Sequence, residues 1–185
     1  MIKTISENDL KKADDFQQRI LNPEKKKRYR TFGFIKKSRE KNPSFFLYYF
    51  EKNTIKGILF AYNKRKHLHV GEIAVDEKFR GTGIGKKLIN EIEKRAMKMG
   101  KEKIVLGARE SAEKFYAKLG YFPILFIQTT KKYPISNEKK YRIINKKKQG
   151  KWTKLRINSK CSKKIKEKAE KDFRGSAIFL FEKML

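Results

Sequence analysis

Apolar and polar positions along the chain change period several times, and each change marks an element. "IKTI" alternates and predicts a short first strand. After Ser6, a suitable N-cap, Leu10, Ala13, Phe16 and Ile20 recur at helical spacing over residues 7–21. Asn22-Pro23 predicts the start of a second, very basic helix that Asn42-Pro43 ends. Three strand-like runs follow: "SFFLYYFE", "TIKGILFAYN" and "HLHVGEIAV". The tight "EKN" turn joins the first two as a hairpin. From Ile84 the apolar positions are Leu88, Ile92, Ala96 and Met99, a helical stripe that Gly100 stops. "KIVLGA" reads as a strand, "SAEKFYAKLG" as a helix and "YFPILFIQTT" as a strand with Pro123 at its start or at an edge. Between Lys131 and Gly175 apolar density falls and lysine clusters appear. There the pattern predicts a polar hairpin over "KYRIIN" and "KWTKLRI", then a helix with Ile165, Ala169 and Phe173 as its stripe. "SAIFLFEKML" closes the chain as a buried strand. The succession predicts a mixed α/β fold.

Composition adds two constraints. The 185 residues suffice for one domain with a sizeable core, at 38% hydrophobic and 12% aromatic content. The net charge of +29 draws such a chain toward polyanions, or else describes a lysine-rich solvated surface; the sequence leaves both open. One cysteine, Cys161, forbids an intrachain disulfide and suits a reducing, cytoplasmic setting. The first residues carry acids and no apolar core, unlike a signal peptide, and the apolar runs are strand-length, so no membrane partner is expected.

The candidate chemistry begins at "RGTGIG", residues 80–85, between a strand and a helix. Glycines there allow positive φ and close backbone approach, and a helix N-terminus presents N–H groups to an anion, so the loop reads as a phosphate cradle. A dinucleotide fingerprint counted from Gly81 needs glycine where Lys86 stands. A nucleoside-triphosphate loop needs Ser or Thr where Lys87 stands, and glycine where Arg80 stands. Both readings fail.

The remaining pattern, Arg80-Gly81-Thr82-Gly83-Ile84-Gly85, resembles the acetyl-CoA loop of the GNAT (GCN5-related) N-acetyltransferase superfamily. A second segment, "ARESAEKFYAKLGYF" (108–122), resembles the motif that follows in that family. The resemblance covers about residues 1–130 and 176–185, and leaves 131–175 as a lysine-rich insertion of hairpin plus helix in a single domain over 1–185. It implies a mixed central sheet of about seven strands flanked by about four helices. It also implies transfer of acetyl from acetyl-CoA to a primary amine by direct attack in a ternary complex. The pantetheine arm would pair with Ile73, Ala74 and Val75, and a backbone N–H at Val75 or its neighbour would stabilise the oxyanion. The pyrophosphate would meet the N–H groups of Arg80, Gly81, Thr82, Gly83, Ile84, Gly85 and Lys86. Tyr116 matches the tyrosine near the acetyl-CoA sulfur and would act as general acid. At Ser111 the family often carries Asn, which contacts the cofactor; Ser reaches less far.

An attacking amine must lose a proton, so a base is expected near the third strand of the meander. Glu72 is the first candidate and His69 the second. Strand alternation sets the two on opposite faces unless a bulge changes the phase. His67 and His69 have metal-like spacing, but no cysteine partners accompany them and the chemistry needs no metal. The basic stretches at 20–45 and 131–174 favour an acceptor that is acidic or carried on an anionic scaffold, and disfavour a free polyamine. A second reading is a nucleic-acid- or ribosome-associated binding module on the same fold, with Trp152, Tyr133 and Tyr141 stacking on bases; the competing role for these rings is packing. Oligomeric state is not legible.

Overall fold

The computed structural model describes residues 1–24, 30–108 and 112–185. Its elements are β1 (Ile2–Thr4), α1 (Glu7–Leu21), α2 (Phe32–Lys41), β2 (Phe46–Glu51), β3 (Thr54–Asn63), β4 (His67–Val75), α3 (Ile84–Lys98), β5 (Lys103–Gly107), α4 (Glu113–Lys118), β6 (Phe122–Thr129), β7 (Ile143–Gln149), β8 (Trp152–Asn158), α5 (Lys163–Phe173) and β9 (Ser176–Met184). The mixed α/β class expected from the sequence is what forms. Among the described residues there are nine strands and five helices, against about seven and four expected. The additional strands are β7 and β8 and the additional helix is α5, all within 131–175. No described helix is long and apolar enough to cross a membrane.

The second basic helix starts later than its sequence predicts. Pro23 and Glu24 form a turn, residues 25–29 lie outside the described residues, and α2 begins only after Thr31, whose side chain accepts from the Phe34 N–H at 3.2 Å. The Thr31 side chain satisfies one of the first-turn N–H groups that the helix leaves unpaired, which the proline at 23 does not do.

The chain divides into two compact units, Met1–Ile104 with Met184–Leu185, and Val105–Lys183. In the first, β1 to β4 form an antiparallel meander in chain order. Lys52 and Asn53, both at positive φ, make the two-residue turn between β2 and β3, the twist that a tight hairpin favours. Opposite faces of the meander are filled by different helices. Gly57 faces Ile84 and Leu88 of α3. Residues of alternate parity on β3, Ile58, Phe60 and Tyr62, face the other way, toward α1 and α2; Phe34 of α2 stands 5.4 Å from the Tyr62 ring. The α1 stripe read from the sequence, Leu10, Ala13 and Phe16, is buried, as is the α3 stripe Ile84, Leu88, Ile92 and Ala96.

In the second unit β6 pairs antiparallel with β9 on one side and β8 on the other, and β7 forms the outer strand beside β8. Pro123, second residue of β6, sits at the strand start where its missing N–H breaks no ladder. Leu125, Ile127, Leu155, Ile157 and Phe181 are fully or almost fully buried on one face, and α5 packs there through Ala169 and Phe173. Of the three rings for which stacking and packing compete, two are packed. Tyr133 and Tyr141 stand 5.0 and 5.1 Å from the Phe173 ring, and their hydroxyls donate to Glu138 and Asp172. Trp152 remains 41% exposed.

Candidate active site

A register shift in the β3–β4 ladder organises the first unit's chemistry. Phe60 pairs with Glu72 and the next residue, Ala61, pairs with Val70, so Gly71 is an extra residue on β4. The bulge reverses the phase of the strand beyond it. Tyr62 pairs with His69, and Phe60 with Glu72, so His69, Tyr62 and Glu72 share one face. Simple alternation, which sets Glu72 and His69 on opposite faces, is therefore overridden by the bulge it allowed for.

Glu72 is 8% exposed, and both of its oxygens are occupied. Oε2 accepts from the Tyr62 hydroxyl at 2.7 Å, and Oε1 accepts from Arg30 Nη1 at 2.6 Å. The Arg30 guanidinium also stands over the Tyr62 ring, 4.5 Å from its centroid, where the ring face attracts a cation. Gly71 makes the arrangement sterically feasible. A Cβ there would lie 2.9 Å from Tyr62 Cδ2, closer still to Cε2, and 3.1 Å from Arg30 Cζ. Glycine inside a strand is the sequence signal for such a close approach, whereas Tyr62 and Arg30 carried no signal of their own.

The protonation states follow from burial and charge. Burial pushes the Glu72 carboxyl above the usual carboxylate range; Arg30 and the Tyr62 hydroxyl pull it back, and Asp14 pushes it further up. Tyr62 is held well above an ordinary phenol by burial and by the adjacent Glu72 charge. His69 is pushed down to about 4, first by burial and then by Arg30, His67 and Lys64. Its imidazole is thus neutral at physiological pH and a weak proton acceptor. A carboxylate has about four lone-pair directions, so Glu72 retains capacity to accept a proton beyond its two bonds.

At the end of β4, Asp76 accepts from the Lys78 N–H at 3.1 Å and pairs with Arg19 at 3.1 Å, fixing the short 3₁₀ turn Glu77–Phe79. The loop then runs exposed from Arg80 to Gly83. Arg80 pairs with Glu77 at 3.2 Å, and Thr82 Oγ1 donates to the Phe79 carbonyl at 2.7 Å. Gly81 and Gly83 have φ of +81° and +83°, and beyond each Cα lies open space. Gly83 is the N-cap of α3 and supplies no side chain; the first turn carries no acid. The N–H groups of Gly83, Ile84, Gly85 and Lys86 therefore precede the helix ladder, with the exposed Lys86 beside them. Donors, positive helix end and an unobstructed approach suit a phosphate-bearing ligand. Ile73, Ala74 and Val75 are laddered on one edge to Leu59, Ile58 and Gly57.

Tyr116 belongs to the second unit. It is 4% exposed, with the Phe115, Phe181 and Tyr121 rings at 5.0, 5.6 and 5.8 Å. Burial pushes its phenol up to about 12, and its hydroxyl makes no hydrogen bond among the described residues. Ser111 lies outside the described residues.

The family model described as acetyltransferase (GNAT) family matches residues 10–121. Several solved structures share the fold. Ard1 from Thermoplasma volcanium is 18% identical at a TM-score of 0.56, over 86% of this chain and 98% of that one. Arabidopsis thaliana Naa50, in complex with the bisubstrate analogue CoA-Ac-MVNAL, is 17% identical at 0.57 over the same shares, 86% and 98%. A Drosophila melanogaster polyamine N-acetyltransferase that forms N-acetylagmatine is 11% identical at 0.66, over 100% of this chain and 99% of that one. No curated protein matches in sequence.

Proposed function

The chain belongs to the acetyltransferase (GNAT) family, an acyltransferase family that uses acetyl-CoA, and we propose that it acetylates a primary amine by direct attack in a ternary complex. The observation that carries the reading is Glu72, a buried carboxylate poised between Tyr62 and Arg30 on the face it shares with His69. Its raised proton affinity suits a group that takes a proton from an ammonium, directly or through one water. His69, pushed down to about 4, is the weaker of the two proposed bases.

The loop at 80–86 fits the phosphates of acetyl-CoA, because the two glycines leave open the volume a Cβ would fill and the N–H groups there are free of the helix ladder. Bound there, acetyl-CoA supplies the acetyl group as an activated thioester. Arg80, Gly81, Thr82, Gly83, Ile84, Gly85 and Lys86 would hold the phosphates, and Ile73, Ala74 and Val75 would offer backbone groups to the arm. Tyr116 holds its proton through the whole neutral range and is the proposed donor to sulfur. Ser111 is kept as a proposed cofactor contact.

The proposed acceptor is an amine on an acidic protein or on an anionic scaffold, since a net charge of +29 disfavours a free polycation. Solved neighbours include one bound to a peptide-bearing analogue and one that acts on a polyamine, so the fold admits either. The chain is read as one domain bearing 131–175 as an insertion, working in the cytoplasm, where the lone thiol Cys161 stays reduced. A binding module without catalysis is the second reading; it draws on the exposed Trp152, but it leaves the Glu72 arrangement without a task.

Calorimetry with acetyl-CoA separates them. The native chain should bind, and Gly83→Glu should abolish binding by setting a carboxylate at the cradle and a side chain at φ +83°. Tyr116→Phe should leave acetyl-CoA affinity unchanged and slow turnover roughly 10²-fold or more. Native protein that binds no acetyl-CoA removes the enzymatic reading. Mass spectrometry across acidic-protein, nucleotide-linked and small amine acceptors then identifies the class.

A further inference from the structure

The second unit has one sheet face with α5 against it and another with very different chemistry. Alternation along the strands places Trp152, Lys154 and Arg156 of β8, Lys147 of β7, Phe126 of β6 and Ile178 of β9 on that second face. The register makes them neighbours: Lys147 opposes Lys154, Arg156 opposes Phe126, and Phe126 opposes Ile178. Trp152 is 41% and Ile178 51% exposed, and Phe126 is half-buried. Arg156 is ion-paired with the buried Glu182 at 2.5 Å on this face, and Ile124 further along it is buried, so the open part is the strip of Trp152, Phe126 and Ile178, with Lys147 and Lys154 as its cations.

Charge selects what covers it. Residues 131–175 carry 18 Lys and Arg against 4 Asp and Glu. Some lysines have other work: Lys146 pairs with Glu138 at 2.6 Å, and charged side chains on β7 protect an outer strand from edge pairing. Lys147 and Lys151 are exposed and have no acidic partner among the described residues. A second copy of so cationic a chain is repelled. An acidic protein would satisfy the lysines and leave the rings uncovered. A polynucleotide with unstacked bases satisfies both, phosphates on the lysines and bases on the rings. Arg156, the partner of Phe126, lies four residue steps along β8 from Trp152, so the two rings stand about 13 Å apart along the strand and engage separate bases. Asn145, exposed on the same strand as Lys147, offers a hydrogen bond to a ribose hydroxyl, while the Gln149 side-chain oxygen accepts from Lys154 Nζ at 2.8 Å.

We propose that the exposed part of this face, centred on Trp152 and Phe126 with Lys147 and Lys154 beside them, docks single-stranded RNA. The proposal is independent of acetyl transfer and asks nothing of the loop at 80–86.

Trp152 is the chain's one tryptophan, so its fluorescence reports on this face alone. Titration of the full chain with an oligouridylate of about twelve nucleotides, at about 50 mM salt, should quench that fluorescence. Affinity should fall steeply as salt is raised. In anisotropy with the labelled oligonucleotide, Trp152→Ala should bind about tenfold more weakly and Trp152→Phe within roughly threefold of native. Circular dichroism and acetyl-CoA calorimetry establish that the variants fold, and quenching in the native chain tests the proposal even if Trp152→Ala does not. The proposal is overturned by absence of binding at low salt, by binding without quenching, or by equal affinity in Trp152→Ala. It is equally overturned if the matching single-stranded DNA, duplex RNA or polyglutamate binds as tightly. Loss of acetyl-CoA binding with retained RNA binding would sink the enzymatic reading and leave this one standing.

Discussion

Replacing Tyr62 by Phe removes one oxygen and leaves the ring against Gly71, under Arg30 and between Phe34 and Phe46. The lost hydroxyl donates to Glu72 Oε2 at 2.7 Å, a bond that favours the ionised carboxylate. A hydrogen bond to a charged group contributes about 1.5–3 kcal/mol, and about 1.4 kcal/mol is one pKa unit, so the upper bound is a rise of about one to two units. Arg30 remains at 2.6 Å and compensates in part, which brings the expected rise to about one unit. The assay is kcat/KM for acetyl transfer as a function of pH, whose acid limb reports the base of the free enzyme. In Tyr62→Phe that limb should move to higher pH by about one unit, with the high-pH plateau falling far less than the roughly 10² expected for loss of a general base. Urea unfolding near pH 7 should show a loss of about 1–2 kcal/mol that narrows in acid, where Glu72 is protonated and needs no donor. A limb that stays in place while stability drops would refute the reasoning. Glu72 would then be a structural carboxylate.

Two further perturbations probe the same cluster. Gly71→Ala places a methyl group 2.9 Å from Tyr62 Cδ2, so the ring must shift and its bond to Glu72 is strained; a stability loss of about 1–3 kcal/mol and a fall in kcat are expected, and native values for both would show that the ring is not seated on the bulge. His69 titrates near 4 in the folded chain against an ordinary 6.5, so the unfolded chain takes the proton first: stability is intact above about 6.5 and declines as pH falls toward 4. The partial exposure of the ring limits this decline to about 1–2 kcal/mol, and His69→Gln should flatten it when urea midpoints at pH 7 and 4.5 are compared; an unchanged slope would mean the imidazole is well solvated.

The sequence by itself determined the features that depend on neighbours along the chain. The stripes of α1 and α3, the β2–β3 hairpin, the glycine loop capping α3 and the mixed α/β class all rest on periodicity or turn chemistry within about twenty residues. The hairpin that raises the strands from about seven to nine, and the helix α5 that follows it, also carried local patterns, although the hairpin's register did not. Only the tertiary structure decided what surrounds Glu72. Its partners come from 10 and 42 residues away, and Arg30 was one of many basic residues in a polar run. The same holds for the shared face of Glu72 and His69, which one extra residue at Gly71 creates. It holds again for Trp152, left exposed while Tyr133 and Tyr141 close over Phe173. The physical reason is common to all three: local propensity fixes which way a side chain leaves its own element, but strand register and long-range packing fix what it meets, and burial among those partners sets its proton affinity.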